Sequence, residues 1–214
     1  MHLKDGGSRV AWIEKILPEN ASGKLKNLYA RVSGKDGHVD HILQVHSLRP
    51  ATLEGHMALY KNVLHHSSNR LPKWILEALG CCVSMINDCS YCVSHHSEGL
   101  KKLLNDDIFS QKVLTALETR SWHSVLDSGP AALLDYAEKL TTQPHEMVES
   151  DLEPLKNAGY DDGMILEANQ VIAYFAYANR TVLGLGVTTA GEPLGLSPSA
   201  NDSDNWHHQY PTSF

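Results

Sequence analysis

Residues Pro72–Leu104 read PKWILEALGCCVSMINDCSYCVSHHSEGLKKLL, and how this stretch folds decides the class of the protein. From Trp74 to Ile86 apolar side chains cover most directions around a helix axis, which is the pattern of a buried helix rather than an alternating strand. Pro72 suits the first helical position, where its missing N–H costs nothing. Asn87 and Asp88 interrupt the run, and either can cap a second helix through CSYCVSHHSEGLKKLL. The stretch therefore predicts two helices joined by a tight turn.

Working outward, the helical period recurs. Leu25, Leu28, Tyr29 and Val32 fall at i, i+3, i+4, i+7, an amphipathic helix. Residues 38–50 and 51–66 read as two more, divided at Pro50. Further helices are expected at Ile108–Thr119, Pro130–Thr141, Glu146–Asn157 and Met164–Leu183. No alternating strand and no repeat is present, so the class is all-α, a single domain over 1–214 with its core at about 20–187 and an irregular tail at 188–214. Gly184, Gly186 and Gly191 follow a helix rather than a strand and miss the dinucleotide-binding spacing.

The chain has 214 residues and a net charge of −7, which argues against nucleic acid or an anionic membrane as the main partner. Its first residues hold no apolar stretch of signal-peptide length, so no export signal is expected. No run of roughly 18 apolar residues predicts a membrane span. All four cysteines lie between Cys81 and Cys92. A secreted disulfide framework spreads its cysteines, so this clustering points to redox or metal chemistry in a cytoplasmic chain.

One residue advances about 100° around a helix. With Cys89 at the origin, Cys92 falls near about 300°, His96 near about 340° and His95 near about 240°. Cys89, Cys92 and His96 thus share a stripe that His95 leaves. Free N–H groups of a first turn favour a thiolate, and two cysteines three apart there can close a disulfide. In the preceding helix Lys73, Glu77, Gly80 and Ser84 form a narrow stripe of polar and small residues. If the cysteine helix packs on it, Glu77 is a carboxylate beside Cys89, Cys92 and His96, able to exchange a proton near neutral pH. The plainer alternative is a solvated Lys73–Glu77 pair at i, i+4. Cys81 and Cys82 read as small core side chains, His95 as a surface or contact residue, and His65 and His66 as cations at a helix end. Structural zinc needs a second ligand pair, which adjacent Cys81 and Cys82 supply poorly, so redox chemistry is favoured over metal at the CxxC.

Glu77, eleven residues, Cys89-x-x-Cys92 and then x-x-x-His96 resembles the alkylhydroperoxidase D-like, or carboxymuconolactone decarboxylase-like, superfamily. NDCSYCVSHHSEGL is most similar to its peroxidase-related branch, and Ile165–Val187 resembles that branch's C-terminal helix. The resemblance implies an alkylhydroperoxidase D-like helical bundle in homo-oligomers, trimers or hexamers, with antioxidant thiol peroxidase activity. It implies Cys92 as the peroxidatic thiolate, Cys89 as the resolving cysteine, and Glu77 with His96 as a proton relay. The best-studied alkylhydroperoxidase D proteins carry histidine where this chain has Tyr91, a much weaker base. Decarboxylating relatives lack the cysteine pair, which ranks that activity lower.

The expected partners are a hydroperoxide and an external dithiol, a lipoyl-bearing or thioredoxin-like protein; no metal or other cofactor is required. The alternatives are a dithiol–disulfide oxidoreductase that never meets peroxide, and a non-enzymatic oligomer whose CxxC binds metal or senses oxidants. Asn179 and Arg180 interrupt an apolar helix and read as interface or capping residues rather than substrate contacts, Tyr174, Phe175 and Tyr177 as core or interface, and NWHHQYPTSF as a flexible or subunit-wrapping end, with its two histidines as metal ligands the alternative.

Overall fold

In the computed structural model, residues 9–34 and 37–195 are described. The α-helices are α1 (Gly23–Val32), α2 (His41–Gln44), α3 (Pro50–His65), α4 (Lys73–Ile86), α5 (Ser90–Leu104), α6 (Asp107–Glu118), α7 (Ser128–Thr142), α8 (Glu153–Asn157) and α9 (Asp162–Leu185). No strand occurs among the described residues, and no helix is long and apolar enough to cross a membrane. The expected all-α class is what the chain adopts.

The core is organised around α4. Leu76, Leu79, Val83 and both Cys81 and Cys82 are buried there, in one cluster with Leu100 of α5, Val113 and Leu117 of α6, Leu133 and Ala137 of α7, and Ile172 and Phe175 of α9. A helix apolar nearly all round must be enclosed by others, and α4 packs on α5, α6, α7 and α9. The two cysteines are core residues as expected: burial pushes the Cys82 thiol up to about 12 and Cys81 higher still.

Gly80 explains how closely the helices approach. A Cβ there would meet the Phe175 ring at 2.3 Å, so the small residue in the α4 stripe admits α9, not the cysteine helix. Ser84, one turn on, also faces α9, accepting a hydrogen bond from Asn179 Nδ2 at 3.0 Å. Only Glu77 in that stripe reaches across to α5. The stripe serves two neighbours instead of one.

Three helical boundaries depart from expectation. The helix read over 38–50 shrinks to α2, because its following turn closes through i+3 bonds such as His46 N to Leu43 O at 3.2 Å and Ser47 N to Gln44 O at 3.0 Å. Pro50 does not merely divide two helices but opens α3. The expected helix Glu146–Asn157 breaks into 3-10 turns at Pro144–Glu146 and Glu149–Leu152 followed by short α8. There Asp151 accepts from the Val148 N–H at 2.8 Å and binds Lys139 Nζ, stabilising a local turn that competes with the helix.

Candidate active site

The α4–α5 connection builds the site. Asp88 adopts a left-handed φ of 53°, which ends α4 sharply and returns the chain along it. Cys89 is then the N-cap of α5, with φ −90° and ψ 82°, one position earlier than a helical Cys89 would stand. Cys92 becomes the third helical residue. Cys89, Cys92 and Tyr91 are buried together with Val45, Val182 and Val187.

Both cysteines are free thiols. The Cys89 thiol is lowered to about 7, first because the Cys92 S–H donates to it. Burial opposes this shift, while the N–H groups of Cys92 and Tyr91 and the Asn179 carboxamide assist it. No side chain caps α5 at hydrogen-bond distance, which leaves its first-turn N–H groups to favour a negative sulfur. Cys92 moves the opposite way, well above the ordinary thiol range, as the donor in that S–H···S bond and through burial. The two opposite shifts are the two sides of one S–H···S bond, in which Cys89 is the sulfur whose thiolate is favoured.

Glu77 is 2% exposed, which rules out the solvated Lys73–Glu77 alternative. Its Oε2 lies 2.7 Å from His96 Nδ1. The His96 ring stands edge-on to Phe175, centroids 4.6 Å apart, so its orientation is fixed from two sides. His96 and Cys92 are one turn apart on α5. The structure thus joins Glu77 of α4 to His96 of α5 and Cys89 to Cys92 at the start of α5.

Asn179 is the residue that periodicity undervalued. It is fully buried in α9, donates to Ser84 at 3.0 Å, accepts from Asn87 Nδ2 at 3.0 Å, and favours the thiolate on both cysteines. An interface or capping role does not describe it. A carboxamide interrupting an apolar helix opposite a CxxC is the signal that marks it. Its neighbour Arg180 is exposed and bonds the Ala176 carbonyl at 2.7 Å.

His95 is not a surface residue. It is buried, and its Nε2 lies 2.8 Å from Oε1 of Glu192, whose carboxylate is fully enclosed. Glu192 also accepts the His41 N–H at 2.8 Å, and these contacts together hold its carboxyl below the ordinary range against the opposing effect of burial. Tyr91 accepts the Ile42 N–H at 3.2 Å, and burial first, then Glu192 and Asp40, push its phenol well up. Tyr91 is thus a neutral phenol here and no base. The segment after α9 is irregular, as expected, yet it carries Glu192 and covers the cysteines with Val187. Gly186 turns it at φ 61°, where a Cβ would strike the Trp12 ring. Trp12 N–H to Leu185 O at 2.8 Å and Thr188 N–H to Val10 O at 3.0 Å fasten it to the N-terminal segment.

The paired histidines at the end of α3 divide. His66 is exposed and bonds Ser68 Oγ at 2.6 Å, while burial lowers His65 to about 4, so His65 is neutral and not a helix-end cation. The histidines of NWHHQYPTSF lie outside the described residues.

No family model matches the chain, and no curated protein does. Solved structures do. An uncharacterized peroxidase-related protein from Ralstonia eutropha JMP134, described as an alkylhydroperoxidase AhpD core, is similar at 20% identity and TM-score 0.74, over 85% of this chain and 93% of that one. A peroxidase-related protein from Silicibacter sp. TM1040 is similar at 23% identity and TM-score 0.68, over 84% and 88%. The debrominase Bmp8 is similar at 17% identity and TM-score 0.65, over 86% and 93%. The chain therefore has the alkylhydroperoxidase D-like fold, a fold that also carries debrominase chemistry.

Proposed function

We propose that the protein is a thiol-dependent peroxidase that reduces hydroperoxides through Cys89 and Cys92, with Glu77 and His96 moving protons. The observation that carries this reading is the Glu77–His96 pair at 2.7 Å, whose histidine stands one turn after Cys92 on α5, together with a free cysteine pair in which the Cys92 S–H lowers the Cys89 thiol. A carboxylate–imidazole pair one turn from one cysteine of a CxxC is a general acid–base on the same helix as the nucleophile.

In the proposed cycle the Cys92 proton passes to Cys89 along the S–H···S bond, leaving Cys92 as thiolate. Its sulfur attacks the terminal peroxide oxygen, the O–O bond breaks, and the alkoxide leaves with a proton from the Glu77–His96 pair. Cys92 is then a sulfenic acid. The Cys89 thiol gives its proton to the relay, which passes it to the departing hydroxide as the Cys89 sulfur attacks; water leaves, the disulfide closes, and the relay takes its missing proton back from solvent. An external dithiol, lipoyl-bearing or thioredoxin-like, reduces it by exchange and restores both thiols. Asn179 supports either sulfur while it is negative.

The exchange half of this cycle alone would make a dithiol–disulfide oxidoreductase. What favours peroxide is the relay, because an alkoxide leaving group needs a proton donor and thiol exchange does not. The test is peroxide consumption by the reduced protein with a series of dithiol donors. Turnover dependent on peroxide and donor supports the reading; exchange of dithiols with no peroxide consumed supports the oxidoreductase. The homo-oligomer and the cytoplasmic setting belong to this same proposal.

A further inference from the structure

We propose that His38, Asp40 and Glu192 bind a divalent transition-metal ion, with zinc the best fit, at a site separate from the cysteines. His38 Nε2 lies 3.9 Å from Asp40 Oδ1 and 3.6 Å from Glu192 Oε2. One ligand atom from each of the three falls within 4.8 Å of the others. Zinc bonds of about 2.0–2.2 Å in a tetrahedron set ligand atoms roughly 3.3–3.6 Å apart, so the two His38 separations are already within a few tenths of an ångström of that geometry and the carboxylates close the remainder by side-chain rotation.

Asp40 supplies a second, independent sign. It occupies the N-cap of α2 yet its side chain caps nothing. Its Oδ1 is instead buried without a hydrogen-bond partner. A buried carboxylate oxygen with no donor, 3.9 Å from an imidazole nitrogen and within 4.8 Å of an enclosed carboxylate, is the arrangement a cation resolves.

The surroundings are built as a metal's outer shell is built. Glu192 Oε1 is held by His95 and Oε2 by the His41 N–H, and His41 Nδ1 donates to the Thr188 carbonyl at 2.7 Å. One nitrogen and two oxygen ligands, with no thiolate, suit zinc, manganese or ferrous iron rather than a soft ion. The ion would tie residues 38–41 to the 187–192 segment that covers the cysteine pair.

The test is calorimetric titration of the metal-stripped full chain with Zn²⁺, in a Cys89→Ser/Cys92→Ser background so that thiols cannot compete. Co²⁺ absorption then reports tetrahedral coordination. The proposal expects one ion per chain, bound at least tenfold more weakly in Asp40→Asn and in Glu192→Gln, and unchanged in Glu77→Gln. Far-UV circular dichroism confirms each variant's fold; if Glu192→Gln does not fold, Asp40→Asn decides. Absence of saturable binding, or equal affinity in Asp40→Asn, overturns it. Neither result bears on peroxide turnover, which rests on the cysteines.

Discussion

Oε2 of Glu77 lies 2.7 Å from Nδ1 of His96 across the α4–α5 interface, the carboxylate enclosed and the imidazole half-buried. A bond between a nearly enclosed carboxylate and an imidazole fixes both groups, and with Phe175 against the ring neither can swing away without leaving a buried charge or an empty space.

If this pair moves protons, Glu77→Gln should lower peroxide turnover by about 10²-fold or more, the usual weight of general acid–base catalysis. The amide still bonds His96, so stability should fall by no more than about 1–3 kcal/mol. Steady-state rates beside urea denaturation check both; full activity in Glu77→Gln would leave the pair a structural role only.

Asn179→Ala should raise the apparent thiol pKa of the cysteine pair, because the carboxamide favours the thiolate on both. Iodoacetamide alkylation near pH 7 should slow by up to about tenfold. The variant also strips Ser84 and Asn87 of a buried partner, at a cost of about 1–3 kcal/mol. An unchanged alkylation profile would remove Asn179 from the site.

Gly80→Ala drives a methyl group into the Phe175 ring. Separating α4 from α9 should cost about 1–3 kcal/mol, and it moves the ring that orients His96. A lowered Tm together with lower turnover is expected, whereas Gly55→Ala, with nothing within 4 Å, should be tolerated.

Acid should destabilise the protein before its carboxylates titrate. Burial lowers His56 to about 3 and His65 to about 4, so the fold holds both neutral while unfolded chains take up protons at about 6.5. Stability from this source is complete above about pH 6.5 and declines as pH falls toward those folded values. Each histidine contributes up to about 1.4 kcal/mol per pH unit in that window. His56→Gln should flatten the decline between pH 6 and 4.5 by about one proton in urea titrations; an unaltered slope contradicts it.

Periodicity revealed the helices of the core because α4, α5 and α9 bury continuous or striped apolar faces. It failed where short-range polar bonds decide the backbone, at 45–49 and at 144–152. Spacing put Cys92 and His96 one turn apart on one helix, and neighbouring faces put Glu77 against that helix, where it meets His96. Spacing alone could not show that Gly80 and Ser84 serve α9, which comes from ninety residues away. Nor could it reveal Glu192: a carboxylate in a segment without period has no face to assign, and only the Gly186 turn and the Trp12 clasp bring it to His95.

The most direct measurement of the cysteine chemistry is mass spectrometry after one equivalent of a hydroperoxide is mixed with the reduced protein. Wild type should yield a Cys89–Cys92 disulfide, Cys89→Ser a trapped sulfenic acid on Cys92, and Cys92→Ser no peroxide-dependent product. Absence of the disulfide in wild type, or peroxide consumption undiminished in Cys92→Ser, would contradict a peroxidase built on this pair.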